Sequence, residues 1–315
     1  MNYIFVAILA YFIIALATIN DKFLLTSNKV SHPAIYAFYS GLISFFTFVL
    51  LPFGGNWIGF TNFFQYIIFG IIFHYGVLCL FYAIQKNQAS QVIPVNGAIV
   101  PIVTFFISVL FFKALFNFTQ IIGVILLIGG GLLISLHLKN NAKGKRFFDG
   151  FKYAVLSGAL MGMAFAAFEI FYQKDSFINV FVWTRLGLVL GAISLLFFSY
   201  WRRTILKTCT GFKKNRSGNA STGIFFTANK LLNGIGSIVL NYAIALGGVG
   251  GATVVNAMVS IEYVFVFLIG LLLSLRYARI FQEEISAADI LKKIVAIILI
   301  SVGIIMVLAK YSIKI

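Results

Sequence analysis

The sequence predicts an all-α integral membrane protein of ten transmembrane helices, folded as two inverted five-helix repeats. Three observations predict it. Hydrophobic residues make up 61% of the chain and the mean hydropathy is +1.01, a composition that excludes a water-soluble globule. The apolar residues gather into runs of roughly 18–24, the length of α-helix that crosses about 30 Å of hydrocarbon at 1.5 Å per residue. The two halves of the chain also carry matching residues in matching order. A transmembrane β-barrel would need shorter segments of alternating polarity instead.

Apolar runs between polar breaks place helices near 2–20, 33–53, 63–84, 91–112, 118–138, 151–171, 178–200, 222–245, 251–274 and 289–310. The first is expected to stay in place, because Met1-Asn2-Tyr3 offers no positive n-region and no small-residue cleavage site precedes Asn20-Asp21-Lys22. The third holds His74 beside Tyr75, read as a satisfied structural histidine. Pro94 and Pro101 in the fourth free backbone carbonyls and bend the helix, which is tolerated where it lines a cavity or is covered by neighbours. Gly129-Gly130-Gly131 in the fifth lacks the following Lys-Ser/Thr of a nucleotide loop. Gly158, Gly162 and Ala166 in the sixth form a small-residue ridge that admits a close neighbour. The longest connection, 201–221, is too short for a folded extramembrane domain. The predicted organisation is therefore a first repeat over 1–138, a basic loop over 139–150 and a second repeat over 151–315.

The formal net charge of +16 would raise nucleic-acid binding in a soluble chain. Here no compact basic domain exists to bind it, and nucleic acid is excluded as a partner. Eighteen of the 24 Lys and Arg lie at the loops after the first, third, fifth, seventh and ninth runs. The positive-inside rule then puts these odd-numbered loops in the cytoplasm and both termini outside, in a multi-pass protein of the cell (inner) membrane. Trp57, Trp183 and Trp201 fall near the expected interfaces. Cys79 and Cys209 make neither a disulfide framework nor a metal site, and three scattered histidines cannot assemble one. No cofactor, metal or catalytic constellation is expected, so the chain reads as a non-enzyme.

The duplication rests on three correspondences. Tyr82-Ala83-Ile84 lies on Tyr242-Ala243-Ile244, and the same offset of 160 lays Asn96 on Asn256. Pro33 and Tyr39-Ser40-Gly41 lie on Asn179 and Arg185-Leu186-Gly187, and Lys22 on Lys174. An odd number of spans per copy inverts the second copy, the arrangement that yields alternating access around a site near the midplane.

The run AIQKNQASQVIPVNGAIVPIVTFF (83–106) followed by NFTQIIGVILLIGGGLLIS (117–135) resembles the fourth and fifth helices of the EamA-type branch of the drug/metabolite transporter superfamily. Ala89-Ser90, Pro101 and Asn117, Gln120, Gly123 carry the likeness in the first half, and Glu283-Glu284-Ile285-Ser286 and Arg185 in the second. The chain departs from the pattern at Tyr39, Ala114 and Ile261. The resemblance implies a ten-helix transporter that exports a small metabolite; it does not carry a substrate across.

Ionisable groups inside a span cost about 2.5–3.5 kcal/mol on insertion scales and read as functional by default. Lys230, Asn233, Ser237 and Asn241 share one face of the eighth helix, either lining a water-filled cavity or bonding neighbouring helices. Glu262 and Lys230 could form a buried ion pair, static or with Glu262 exchanging a proton. Glu169 would sit in a cavity mouth or snorkel to the interface, the second reading being preferred. Arg185 would hold an anionic substrate group or anchor its helix to a carboxylate such as Glu169. Asn96 and Asn256, at equivalent depths, would meet a polar solute or bond across helices.

The expected function is secondary active transport: export of a small polar metabolite such as an amino acid by alternating access, coupled to protons through Glu262 or Glu169. Asn96, Asn256, Lys230, Asn233, Ser237 and Arg185 are the expected substrate-binding residues. The alternative is a lipid-linked flippase or a membrane-embedded sensor. The expected partners are a small-molecule substrate and the lipid bilayer, with monomer and homodimer both open.

Overall fold

A computed structural model describes residues 3–26, 32–86, 89–135, 144–211, 220–276 and 287–308. Among them there are helices and turns and no strands. The helices are α1 (Tyr3–Thr26), α2 (Pro33–Ile43), α3 (Gly59–Lys86), α4 (Ala89–Phe112), α5 (Phe118–Ser135), α6 (Gly144–Lys174), α7 (Phe177–Ser194), α8 (Ser199–Gly211), α9 (Ala220–Gly247), α10 (Gly251–Ala257), α11 (Val259–Arg276) and α12 (Ala287–Leu308). Each of the ten apolar runs is mainly helical over its described residues, with breaks at Phe198 and Met258. Eight stretches of the described residues are long and apolar enough to cross a membrane, and Phe118–Leu133 is a shorter apolar helix.

Four elements differ from the sequence reading. The second run is α-helical only to Ile43 and continues as a 3-10 segment, Ser44–Phe53. There the hydroxyls of Ser44 and Thr47 donate to the carbonyls of Ser40 and Ser44, local bonds that compete with the α-helical ladder. The longest loop begins as α8, whose Ile205 is buried with Ala34, Leu78 and Leu195 while Arg202, Arg203 and Lys207 stay exposed, the pattern of a surface helix lying along the bundle. The ninth run is two helices, α10 and α11, separated at Met258. The interrepeat segment also departs from a plain loop, since α6 extends back to Gly144. The acidic stretch 283–286 lies outside the described residues.

The N-terminus of α2 is capped by His32, whose Nδ1 accepts from the Ala34 N–H at 3.2 Å. Burial lowers the pKa of this imidazole, so it stays the neutral acceptor that the cap requires.

Packing exchanges the two halves. The α3 helix lies along α6 as α9 lies along α1; α4 packs on α6 as α11 packs on α1; and α5 pairs with α12. Gly76 of α3 abuts Met161 of α6, and Gly236 of α9 abuts Ile14 of α1. The first members are 160 apart and the second 147, so the offset for α1 and α6 is 147. This replaces the sequence match of Lys22 with Lys174, which needs 152.

One pairing breaks the exchange. The α3 and α7 helices pack along their lengths, whereas their counterparts α9 and α2 make little or no close backbone contact among the described residues. At the α3–α7 seam, Gly70 meets Thr184 O and Gly187 Cα, and a Cβ on Gly187 would lie 2.5 Å from Ile67 O and 2.8 Å from Gly70 Cα. Only paired glycines let the backbones come this close.

Candidate functional site

Where α9 draws away from α2, the intervening surface is polar. Lys230, Asn233 and Ser237 of α9 and Tyr36 and Tyr39 of α2 are half-buried, while Asn241 is buried. The expected stripe thus turns inward, Ser237 meeting Arg185 of α7 and Lys230 meeting Tyr36 of α2, and the polar gap between α2 and α9 is the candidate cleft. The N-terminal ends of α2 and α9 both follow odd-numbered loops. Side chains reach across the cleft: the Lys230 ammonium lies 4.6 Å from the centre of the Tyr36 ring.

Arg185 projects from the middle of α7 and is 6% exposed. Its Nη2 donates to Ser237 Oγ at 2.8 Å, and the guanidinium lies 4.5 Å from the Phe181 ring centre and 5.9 Å from that of Phe73. Asn241 Nδ2 donates to Ser237 O at 2.8 Å, and its Oδ1 accepts from Tyr172 OH at 3.1 Å. The fold therefore brings Arg185, Ser237 and Asn241 into one network with Tyr172. Sequence spacing has no means of pointing to Tyr172 or Phe73, which come from other helices, whereas Phe181, four residues before Arg185, shares its face of α7.

Hydrogen bonds tie the N-terminal end of α7 to the segment before α3. The Asn56 N–H donates to Asn179 Oδ1 at 2.8 Å, Trp183 Nε1 donates to Asn56 O at 3.3 Å, and Asn179 Nδ2 donates to Asp175 Oδ1 at 2.9 Å. Trp57 and Phe63 pack their rings against Trp183 at 6.0 and 5.4 Å.

The two acids inside the spans lie apart from the cleft network. Glu262 Oε1 accepts from Thr18 Oγ1 of α1 at 2.8 Å. The expected Lys230–Glu262 pair is not formed, because α1 packs against both α9 and α11 and supplies the carboxylate's partner. Glu169 is fully buried rather than snorkelled to the interface, and it does not anchor Arg185. Its two oxygens accept from the Gly250 and Ala252 N–H groups at 2.6 and 2.7 Å. A carboxylate there satisfies the first amides of α10, which follow Gly250 at φ +91°.

Asn96 and Asn256 do not bond one another. Asn96 Nδ2 donates to Ser157 Oγ at 2.8 Å, and Ser157 Oγ donates to Gly76 O at 2.7 Å. The residue 147 positions before Ser157 is Ala10, which has no hydroxyl, and the buried Nδ2 of Asn256 has no hydrogen-bond partner among the described residues. A cavity of about 10 Å³, bordered by Pro94, Gly97, Gly131, Ala257, Ser260 and Tyr263, adjoins this region and is the size of one water molecule. His74 is buried between Gly41 and Gly191, its Nε2 unpartnered among the described residues, so it is structural without being satisfied.

The long apolar helices and the all-helical packing of the described residues define a multi-pass membrane protein. The comparisons with known proteins narrow it. The model of the EamA-like transporter family matches residues 1–136. An uncharacterised protein of Methanocaldococcus jannaschii is 39% identical over 70 residues, 22% of this chain, and the chain spans 50% of that relative's length. A protein of known crystal structure shares the fold over 99% of this chain and 96% of its own, at 14% identity and a TM-score of 0.66.

Proposed function

We propose that the protein is a secondary active transporter that carries a small polar metabolite out of the cell by alternating access. The observation that carries this reading is the broken exchange: α3 packs closely on α7, while the equivalent α9 and α2 make little or no close backbone contact among the described residues. Two like halves that can swap these arrangements yield a second state of similar energy, with α9 closed on α2 and α3 parted from α7. With the odd-numbered loops cytoplasmic, the present state opens inward, the state in which an exporter loads. Arg185, Ser237, Asn233 and Lys230 line the path, and Asn96 and Asn256 contact the cargo nearer the axis.

Of the two acids, Glu262 is the better candidate for proton coupling. It has one side-chain donor, whereas Glu169 is held by two backbone amides and serves the fold.

The test needs no knowledge of the cargo. Ser237→Cys, in a Cys79→Ser, Cys209→Ser background, is labelled with a membrane-impermeant maleimide from either face of oriented vesicles. Alternating access makes the introduced thiol reactive from both faces, in proportions that shift together when one state is trapped. Reactivity from one face alone under all conditions refutes the cycle. Coupling is tested by counterflow across pH: normal transport by Glu262→Gln at every pH removes that residue from the proton path.

A further inference from the structure

We infer that the outer face of α8 is a docking site for an anionic phospholipid, its phosphate on Arg202 and Arg203 and its acyl chains running down past Phe197 and Phe198. The inference goes beyond the transporter reading and stands without it.

The span Phe177–Phe197 ends just before Ser199 opens α8, so the helix begins where hydrocarbon gives way to headgroups. Two side chains hold it to the bundle. Ile205 is buried with Ala34, Leu78 and Leu195, and Trp201 Nε1 donates to Tyr82 OH of α3 at 2.8 Å. One face is thereby fixed inward, and the other is presented in a set orientation.

The presented face mixes charge with apolar surface. Arg202, Arg203 and Leu206 are all exposed, Leu206 at 51%. At about 100° per residue Leu206 stands between the two arginines, roughly 40° from Arg202 and 60° from Arg203. Phe197 and Phe198, exposed at 82% and 52%, lie where α8 departs from the bundle, and the Arg202 N–H donates to Phe198 O at 2.9 Å. A face turned wholly to water gains nothing from these apolar groups, and one turned wholly to hydrocarbon cannot hold two guanidiniums. The headgroup layer suits both: phosphate oxygens accept from the guanidinium forks, and the apolar tips enter the acyl boundary.

Charge complementarity decides the occupant. Six Lys and Arg fall between 202 and 216, and no Asp or Glu occurs between Asp175 and Glu262. The odd-numbered loops together hold 18 Lys and Arg against five acids, Asp21, Asp149, Glu283, Glu284 and Asp289. Pairing every one of those acids with a base still leaves this side of the protein strongly positive. A basic cluster beside a span draws anionic lipid by about fivefold per cation.

Lipids carrying a nitroxide quencher high on the acyl chain dim a nearby indole, so the full chain with Trp57→Phe and Trp183→Phe reports the lipid beside Trp201. Nanodiscs hold phosphatidylcholine with phosphatidylglycerol, the quencher on one or the other. Phosphatidylglycerol should be preferred at Trp201 by about thirtyfold, the effect of two cations. Arg202→Gln with Arg203→Gln should bring the two lipids to near-equal quenching, and Arg202→Lys with Arg203→Lys, which keeps the charge, should retain most of the preference. Raising salt from about 0.05 M to about 0.5 M should weaken it; this arm needs no change to α8 and decides the matter even where an arginine variant has a lowered Tm. In the Trp201→Phe chain, Trp57 and Trp183 at the other end should report no comparable preference. Equal quenching by the two lipids at Trp201, a preference undiminished by salt or by the double Gln substitution, or the same preference at Trp57 and Trp183 overturns the inference. Equal quenching together with binding of soluble polyglutamate also overturns it and assigns the face to an acidic protein. Maleimide access in the Ser237→Cys variant is read in phosphatidylcholine alone, so this inference and the transporter reading fail separately.

Discussion

Gly187→Ala tests the α3–α7 seam directly. The added Cβ would stand 2.5 Å from Ile67 O and 2.8 Å from Gly70 Cα. Both are backbone atoms and cannot rotate away as a side-chain tip can. Restoring ordinary contact at about 3.5 Å requires α3 and α7 to part by about 1 Å, and overpacking of this kind costs about 1–3 kcal/mol. The upper part of that range applies because backbone must move. The helix-propensity gain of Gly→Ala, about 1 kcal/mol, is common to both states and cancels between them, so a penalty of about 2–3 kcal/mol remains, at least about thirtyfold in an equilibrium constant. In an alternating protein the penalty falls only on the state with the seam closed. Placed in the Ser237→Cys background, Gly187→Ala should therefore raise the ratio of even-loop-side to odd-loop-side labelling by at least about thirtyfold. Gly234→Ala is the control: a Cβ there meets nothing within 4 Å, and the variant should label like its parent and unfold at the same or a slightly higher temperature. Unaltered labelling by Gly187→Ala, with unchanged thermal stability, would refute the reasoning.

Three further outcomes are expected. Glu169→Ala leaves the Gly250 and Ala252 amides buried without acceptors and should cost on the order of 2–4 kcal/mol in unfolding measurements in detergent, while Glu169→Gln, with one carbonyl oxygen left, should fall between; a neutral Glu169→Ala would show that water replaces the carboxylate. Asn96→Ala should destabilise more than Asn256→Ala, by about 1 kcal/mol, since of the two only Asn96 has a bonded amide donor among the described residues; equal losses would indicate that Asn256 Nδ2 has a partner such as water. Ser157→Ala should reproduce most of the Asn96→Ala loss, because Ser157 links Asn96 to Gly76 O, and an effect confined to Asn96 would point to the amide's packing instead.

The Asn96–Asn256 match is legible as a repeat, yet the repeat does not give the two residues the same surroundings. Ala10 stands where Ser157 stands in the other half, and a single missing hydroxyl decides which amide is bonded. The stripe Lys230, Asn233, Ser237, Asn241 is legible as one face because helical spacing is local. What that face meets is not legible. Depth in neighbouring runs suggests a pairing of Lys230 with Glu262, but α1, distant in sequence, enters between the helices and offers Thr18 instead. Glu169 escapes a sequence reading for a related reason: its partners are backbone amides of a turn some eighty residues onward, and every residue but proline has such an amide, so no residue type announces them.

Membership in the membrane, the helical character of each run and the register of polar faces follow from composition and periodicity, since lipid obliges every backbone group to be satisfied within its own helix. Helix partners carry no such local signal. With apolar surface on all sides, the choice among neighbours turns on close fits such as Gly70 on Gly187 and on which side chains meet across a gap. For that reason the candidate α2–α9 cleft, the closed α3–α7 seam and the Arg185 guanidinium set between them become definite only in the assembled bundle.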